Sequence, residues 1–315
     1  GGKDQYYANA AYEVTGTGEI KSTSKFSDNF KGNIYINSDN ISFGSDDGVV
    51  MINGSSKQFI DAYLDKSNVA KIKNLTVDKP ILSDVAQLEL GIAVEVGTEN
   101  EGNLSLIKGN IITQANTLLT VNNNATITDY SDESFVDGPL KIIGNDAFTF
   151  PIGKGKRYMP VILSSVSGND VGYTLEFINE SPDDRVLGDN LNHLSECEFW
   201  TIDGPEDPEM LATLTWDSKT CDLPFDLSQV QIAYYNSVSW KSAGSQNMIG
   251  SKAEGGNAQS VDPLNNASRL AFGSNVAPGH GEALGFSFNN YGAYIEIESN
   301  TDLDIYGNFM NENSD

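Results

Sequence analysis

Basic residues are scarce in this chain. Its 315 residues hold 19 Lys and Arg against 44 Asp and Glu, for a formal charge of -25. Such a surface repels phosphate backbones, which argues against nucleic acid and anionic lipid as partners. Histidine is scarcer still, with only His193 and His280. A His-based triad therefore has few candidates, no Gly-x-Ser-x-Gly elbow is present, and His280 falls in a Pro-Gly-His-Gly turn. No apolar run approaches the roughly 18 residues that would span a membrane. The opening GGKDQYYANAAYEV carries no signal-peptide pattern, and Gly1 as first residue points to a processed or trimmed chain whose targeting signal lies elsewhere. The two cysteines, Cys197 and Cys221, form no Cys-x-x-Cys pair, which argues against zinc. They fit a disulfide made in an oxidising compartment; the alternative is two separate small core residues.

What is present is β-forming. Hydrophobic residues at 39% and aromatics at 10% are enough for real cores, so the acidity reads as a solubilising coat rather than disorder. From Val49 onward the segments VVMING, AKIKNLTV, AQLELGIAVEV, GNLSLIKGNIIT, NTLLTVNNN and ATITDY are apolar and short. Asn and Gly recur at their boundaries, as at Asn53-Gly54, Asn68, Asn74, Gly97, Asn103, Gly109-Asn110 and Asn122, and no helical period is sustained between 67 and 130. Strands too short to bury themselves, at near-constant spacing, favour a coiled parallel β-solenoid over an antiparallel sandwich of similar spacing. At roughly 20 residues per rung, positions 46–135 allow about four turns.

Downstream, strands are expected at Ala147–Phe150, Met159–Val166, Gly172–Ile178, Glu198–Ile202, Ala212–Trp216, Gln229–Tyr235 and Phe286–Phe288, the count of an antiparallel β-sandwich. Trp200, Trp216 and Trp240 belong in or beside its core, each with a partner for its indole N–H. The sharper alternative is an exposed Trp row that stacks on sugars. The stretch from Gly244 to Asn266 reads as a polar, Gly-rich, mobile loop. The whole chain is thus read as all-β: N-terminal strands or a cap at 1–45, a solenoid at 46–135, a sandwich at 136–290 and further strands at 291–315. The pieces Ala11-Tyr12-Glu13 and Ala293-Tyr294-Ile295-Glu296 loosely resemble each other. A tail that begins fresh strands fits either a longer repeat protein or a subunit that stacks head to tail.

Two acidic loops offer oxygen ligands for Ca²⁺: Asp183 and Asp184 with Asp189, and Asp203 with Glu206 and Asp207. Neither has EF-hand spacing, and solvated acidic loops are the bland alternative. Solenoid lyases and hydrolases combine carboxylates with Arg or Lys on one face. Here arginine occurs only at 157, 185 and 269, outside the expected solenoid, so no enzyme is expected.

Between the two regions lies FVDGPLKIIGNDAFTFPIGKGKRYMPVIL, from Phe135 to Leu163, with turn signals at Gly138-Pro139, Gly144-Asn145 and Pro151 to Gly155. This junction, followed by Cys197-Glu198-Phe199-Trp200, Leu214-Thr215-Trp216-Asp217 and Trp240, is similar to a signature of large secreted surface proteins of the Bacteroidetes. Many of these are exported by the type IX secretion system, and in them a solenoid-like region leads into a β-sandwich. The resemblance spans roughly residues 45 to 290. It implies a secreted or cell-surface location and a non-enzymatic structural or adhesive role, with neighbouring repeats, further copies or surface glycans as partners. A carbohydrate-binding module is the alternative.

Overall fold

The computed structural model describes residues 27–36 and 48–276, apart from 64, 81–86, 99–100, 145–146, 168–169, 189, 206–208 and 225. It also describes short strands at 12–14, 42–43, 288–290 and 309–311. The architecture is all-β, a parallel β-solenoid of about four turns joined to antiparallel sheets.

Each coil lays one short strand on each of three faces. The first face stacks Ser27–Phe30, Val49–Ile52, Asn74–Asp78, Gly102–Lys108 and Ala125–Thr128 in parallel. The second runs from Tyr12–Val14 through Ile34–Ile36, Gln58–Asp61, Leu88–Leu90, Ile111–Ile112 and Val136–Asp137 to Ile152–Lys154. The third runs from Ser42–Phe43 through Val69–Ile72, Ala93–Val96 and Leu119–Val121 to Leu140–Gly144. The segment before residue 46 therefore shares its sheets with the coils that follow.

The two-residue alternation of a strand points every second side chain inward. Register then stacks like on like: Val50 pairs with Leu75 and Leu75 with Leu104, while Ala70, Val94, Leu119 and Leu140 form a second column. All seven of these side chains are buried. The rungs are longer than the expected 20 residues. Contacts one coil apart join residues separated by 24, 25, 26 and 28 positions. The extra length lies in polar corners, which the apolar pattern alone does not count.

Asparagine holds those corners. Asn68 Nδ2 donates to the Ile36 carbonyl (3.2 Å), Asn74 Nδ2 to Gly48 (2.9 Å) and Asn122 Nδ2 to Gly97 (3.1 Å). Each bond clamps one coil to the previous one and satisfies a carbonyl that a turn would otherwise leave unpaired.

The strand Leu140–Gly144 belongs to both regions. On one side it pairs in parallel with Leu119–Val121; on the other it pairs antiparallel with Val171–Ile178. The apolar column accordingly crosses from Leu119 to Leu140 to Leu175 without a gap. The sheet continues through Phe199–Asp203, Arg269–Ser274, Val230–Tyr235 and Trp240–Ser242. A second antiparallel sheet, in the order Phe148–Phe150, Val161–Ser164, Leu211–Trp216, Gly255–Gln259 and Gln246–Ser251, covers it. Between them lie Phe177, Trp200, Trp216 and Phe272, with Phe272 edge-on to both indoles at 5.8 and 5.7 Å. Such T-shaped contacts are a favoured aromatic geometry.

Two expectations change here. The stretch from Gly244 to Asn266 is not a loop, because it contains the hairpin Gln246–Ser251 and Gly255–Gln259. Apart from Ile249 its outward residues are mostly polar, and two of its glycines, Gly250 and Gly255, take φ of 112° and 90°, so strand and turn share one composition. The strand Arg269–Ser274, between Phe199–Asp203 and Val230–Tyr235 in its sheet, is not expected from the sequence either. Near the C-terminus, Phe288–Asn290 and Phe309–Asn311 pair in parallel, Phe288 opposite Phe309.

Candidate functional site

The most highly organised polar site lies where the junction meets the sandwich. Ile152–Lys154 is the last parallel strand of the second face, and Arg157–Tyr158 folds back on it antiparallel. A Cβ on Gly153 would stand 2.1 Å from the Arg157 carbonyl, so only glycine allows the hairpin to close. Gly138, at φ 126° with its Cβ direction 2.4 Å from the Thr113 carbonyl, is fixed in the same way.

This hairpin delivers Arg157 into the protein. Its Nε and Nη2 grip the two oxygens of Asp217 at 2.9 and 2.6 Å, a bidentate fork. Nη2 also lies 2.6 Å from Glu198 Oε2 and 3.2 Å from Thr220 Oγ1, while Nη1 donates to Asn179. The guanidinium stacks 5.3 Å above the Phe177 ring. Glu198 is fully buried, and burial raises its pKa against the opposing effect of Thr220 and Arg157. Asp217 goes the other way: desolvation pushes it up, but the Arg157 fork together with the backbone N–H groups of Lys219 and Thr220 leaves it lowered. One turn beyond Asp217, Cys221 is joined to Cys197 by a disulfide. Three separate stretches, GKGKRYMP, Cys-Glu-Phe-Trp and Thr-Trp-Asp, thus meet at a single cation.

All three indoles point inward and donate to carbonyls: Trp200 to Met159 (3.2 Å), Trp216 to Ser251 (2.9 Å) and Trp240 to Asp184 (2.6 Å). Their exposures of 0, 1 and 0% remove them as a surface for stacking sugars. His193 is buried, and burial lowers its pKa. Its Nε2, 3.9 Å from Asp222 Oδ2, has no hydrogen-bond partner among the described residues. The Ser195 hydroxyl, two residues on, contacts Cys197 Sγ at 3.7 Å. His280 lies outside the described residues.

Of the residues considered for Ca²⁺, Asp183 and Asp184 are exposed, and Asp184 Oδ2 receives Arg269 Nη1 at 3.3 Å. Asp203 ends its strand and lines a cavity of about 220 Å³ together with Tyr173, Ile202, Met210 and Leu264. Asp189, Glu206 and Asp207 lie outside the described residues. Among the described residues no three His, Cys, Asp or Glu gather as a metal site, and no helix is long and apolar enough to cross a membrane.

Sequence reasoning missed Lys79. It is fully buried in the solenoid, with Nζ donating to Gln58 Oε1 (2.5 Å) and the Ser56 carbonyl (3.3 Å). Gln58 in turn donates to the Phe30 and Gly32 carbonyls of the preceding coil. Desolvation lowers the Lys79 pKa to about 8. A lysine in VDKPIL gives no sign of this, because burial follows from coil stacking and not from local pattern. No protein-family model, no curated protein and no solved structure matches the chain.

Proposed function

We propose that this protein is a non-enzymatic structural or adhesive module of a secreted bacterial surface protein, joined end to end with neighbouring repeats or copies of itself. The observation that carries this reading is the shared strand Leu140–Gly144, which makes solenoid and sandwich one continuous sheet. A sheet of that kind transmits load through backbone hydrogen bonds instead of through a hinge. The Arg157 cluster braces the same junction, and the disulfide near its Asp217 suits an oxidising exterior. Stacking is supported by the far end of the first face. Among the described residues its last strand, Ala125–Thr128, pairs on one side only, with Gly102–Lys108. A parallel edge of this kind is a template for another strand, and a contact that does not close into a ring gives a filament.

Negative-stain microscopy over a range of concentrations, with and without calcium, tests the assembly. Linear chains are expected, and monodisperse particles under every condition would remove end-to-end joining. Release of soluble sugars from plant or marine polysaccharides would overturn the non-enzymatic reading.

A further inference from the structure

The five strands Phe148–Phe150, Val161–Ser164, Leu211–Trp216, Gly255–Gln259 and Gln246–Ser251 contain no Asp, Glu, Lys or Arg. In a chain with 20% charged residues this is an exclusion of charge from one sheet. The sheet packed against it has Lys141, Glu176, Asp203, Lys241 and Arg269 in its strands. Alternation sends Phe148, Phe150, Leu163, Leu214, Trp216 and Ala258 into the core. The opposite face is left with a row in register, Thr149, Ile162, Thr213, Gln259 and Gln246. Beside it runs a second row, Thr215, Asn257 and Ile249. Ile162 and Ile249 are 39 and 67% exposed.

We infer that this uncharged sheet face docks a neutral, hydroxyl-rich polysaccharide. The inference rests on the adhesive reading above and names its partner class. Hydroxyl and amide side chains both donate and accept, as sugar hydroxyls do, so the two surfaces match without fixed charge. A neutral partner also escapes the repulsion that a charge of -25 imposes on polyanions. A second copy of the chain fits less well. It brings the same charge, and interfaces between stable copies are more apolar than a row of Thr and Gln.

The test is co-sedimentation of the full chain with insoluble β-glucan or chitin particles, and with alginate beads, at low and high salt. Uptake by the neutral particles is expected, unchanged by salt, with none by alginate. Thr213→Glu and Gln259→Glu each place a charge in the row and are expected to weaken uptake by about tenfold or more. Thr120→Glu, on an outer face of the solenoid, is expected to leave it unchanged. Melting curves confirm that each variant is folded, and the half-exposed Gln259 keeps the test open if Thr213→Glu unfolds. No uptake by the native chain, or uptake indifferent to both variants, overturns the inference. So does a dimer in sedimentation velocity that Gln259→Glu dissolves, which makes a second copy the occupant. Absence of binding without sugar release leaves the structural reading standing, whereas sugar release from the particles defeats that reading itself.

Discussion

The two halves of this molecule solve the same burial problem with different residues. The solenoid packs stacked Ile, Leu, Val and Ala and ties its coils together with asparagine side chains at the corners. The sandwich packs Trp and Phe edge to face and closes one end with a buried ion cluster and a disulfide. In the first, many equal contacts share the work, and each coil needs only its neighbours. In the second, a few large, singular contacts dominate. Removing one element should therefore cost much in the sandwich and little in the solenoid.

That contrast is broken most severely at Arg157. Arg157→Ala leaves the fully buried Glu198 without its cation, which is expected to cost about 3–5 kcal/mol in urea unfolding followed by Trp fluorescence. A loss below about 1 kcal/mol would reduce the cluster to decoration. Next comes the covalent brace. Replacing Cys197 and Cys221 by Ser opens a link of sequence separation 24 and is expected to cost about 3 kcal/mol. The non-reducing melting temperature of that double variant should match that of the reduced native chain.

Lys79 sharpens the comparison from the solenoid side. Its folded pKa, about 8, lies below the ordinary lysine value of 10.5, so between these pH values the unfolded chain binds more protons. Stability therefore rises with pH across that window and is lowest, by about 3 kcal/mol, below it. Lys79→Met is expected to flatten this rise and to stabilise the protein at neutral pH by about 2 kcal/mol, since no charge is then buried. A rise of the same size in the variant would assign the effect to other groups. The smallest change is Asn122→Ala, which frees one corner carbonyl at Gly97 and is expected to cost about 1 kcal/mol.

The same difference decides what was legible in the sequence. Repetition writes itself into spacing, so the short apolar runs between Asn and Gly corners were enough to read a coiled parallel solenoid. Rung length was underestimated because corners vary while columns do not. The sandwich showed its aromatic strands but hid those rich in Gly, Asn and Gln. Gln246–Ser251 and Gly255–Gln259 have the composition of a loop and become strands only because Leu211–Trp216 offers them an edge. The Arg157 cluster was invisible for a related reason. Its members stand 41 and 60 positions from Arg157 at Glu198 and Asp217, and nothing local marks them as neighbours. Three stretches distant in sequence, GKGKRYMP, Cys-Glu-Phe-Trp and Leu-Thr-Trp-Asp, each contribute a group to that one buried site.

All three Trp residues lie in the sandwich, and the coils contain none. Tryptophan fluorescence thus reports on one region, while far-UV circular dichroism reports on both. If the strand Leu140–Gly144 welds them into one cooperative unit, thermal unfolding followed by the two signals should trace a single coincident transition. Two separated transitions, with the dichroism of the coils lost while the indole signal stays native, would contradict it.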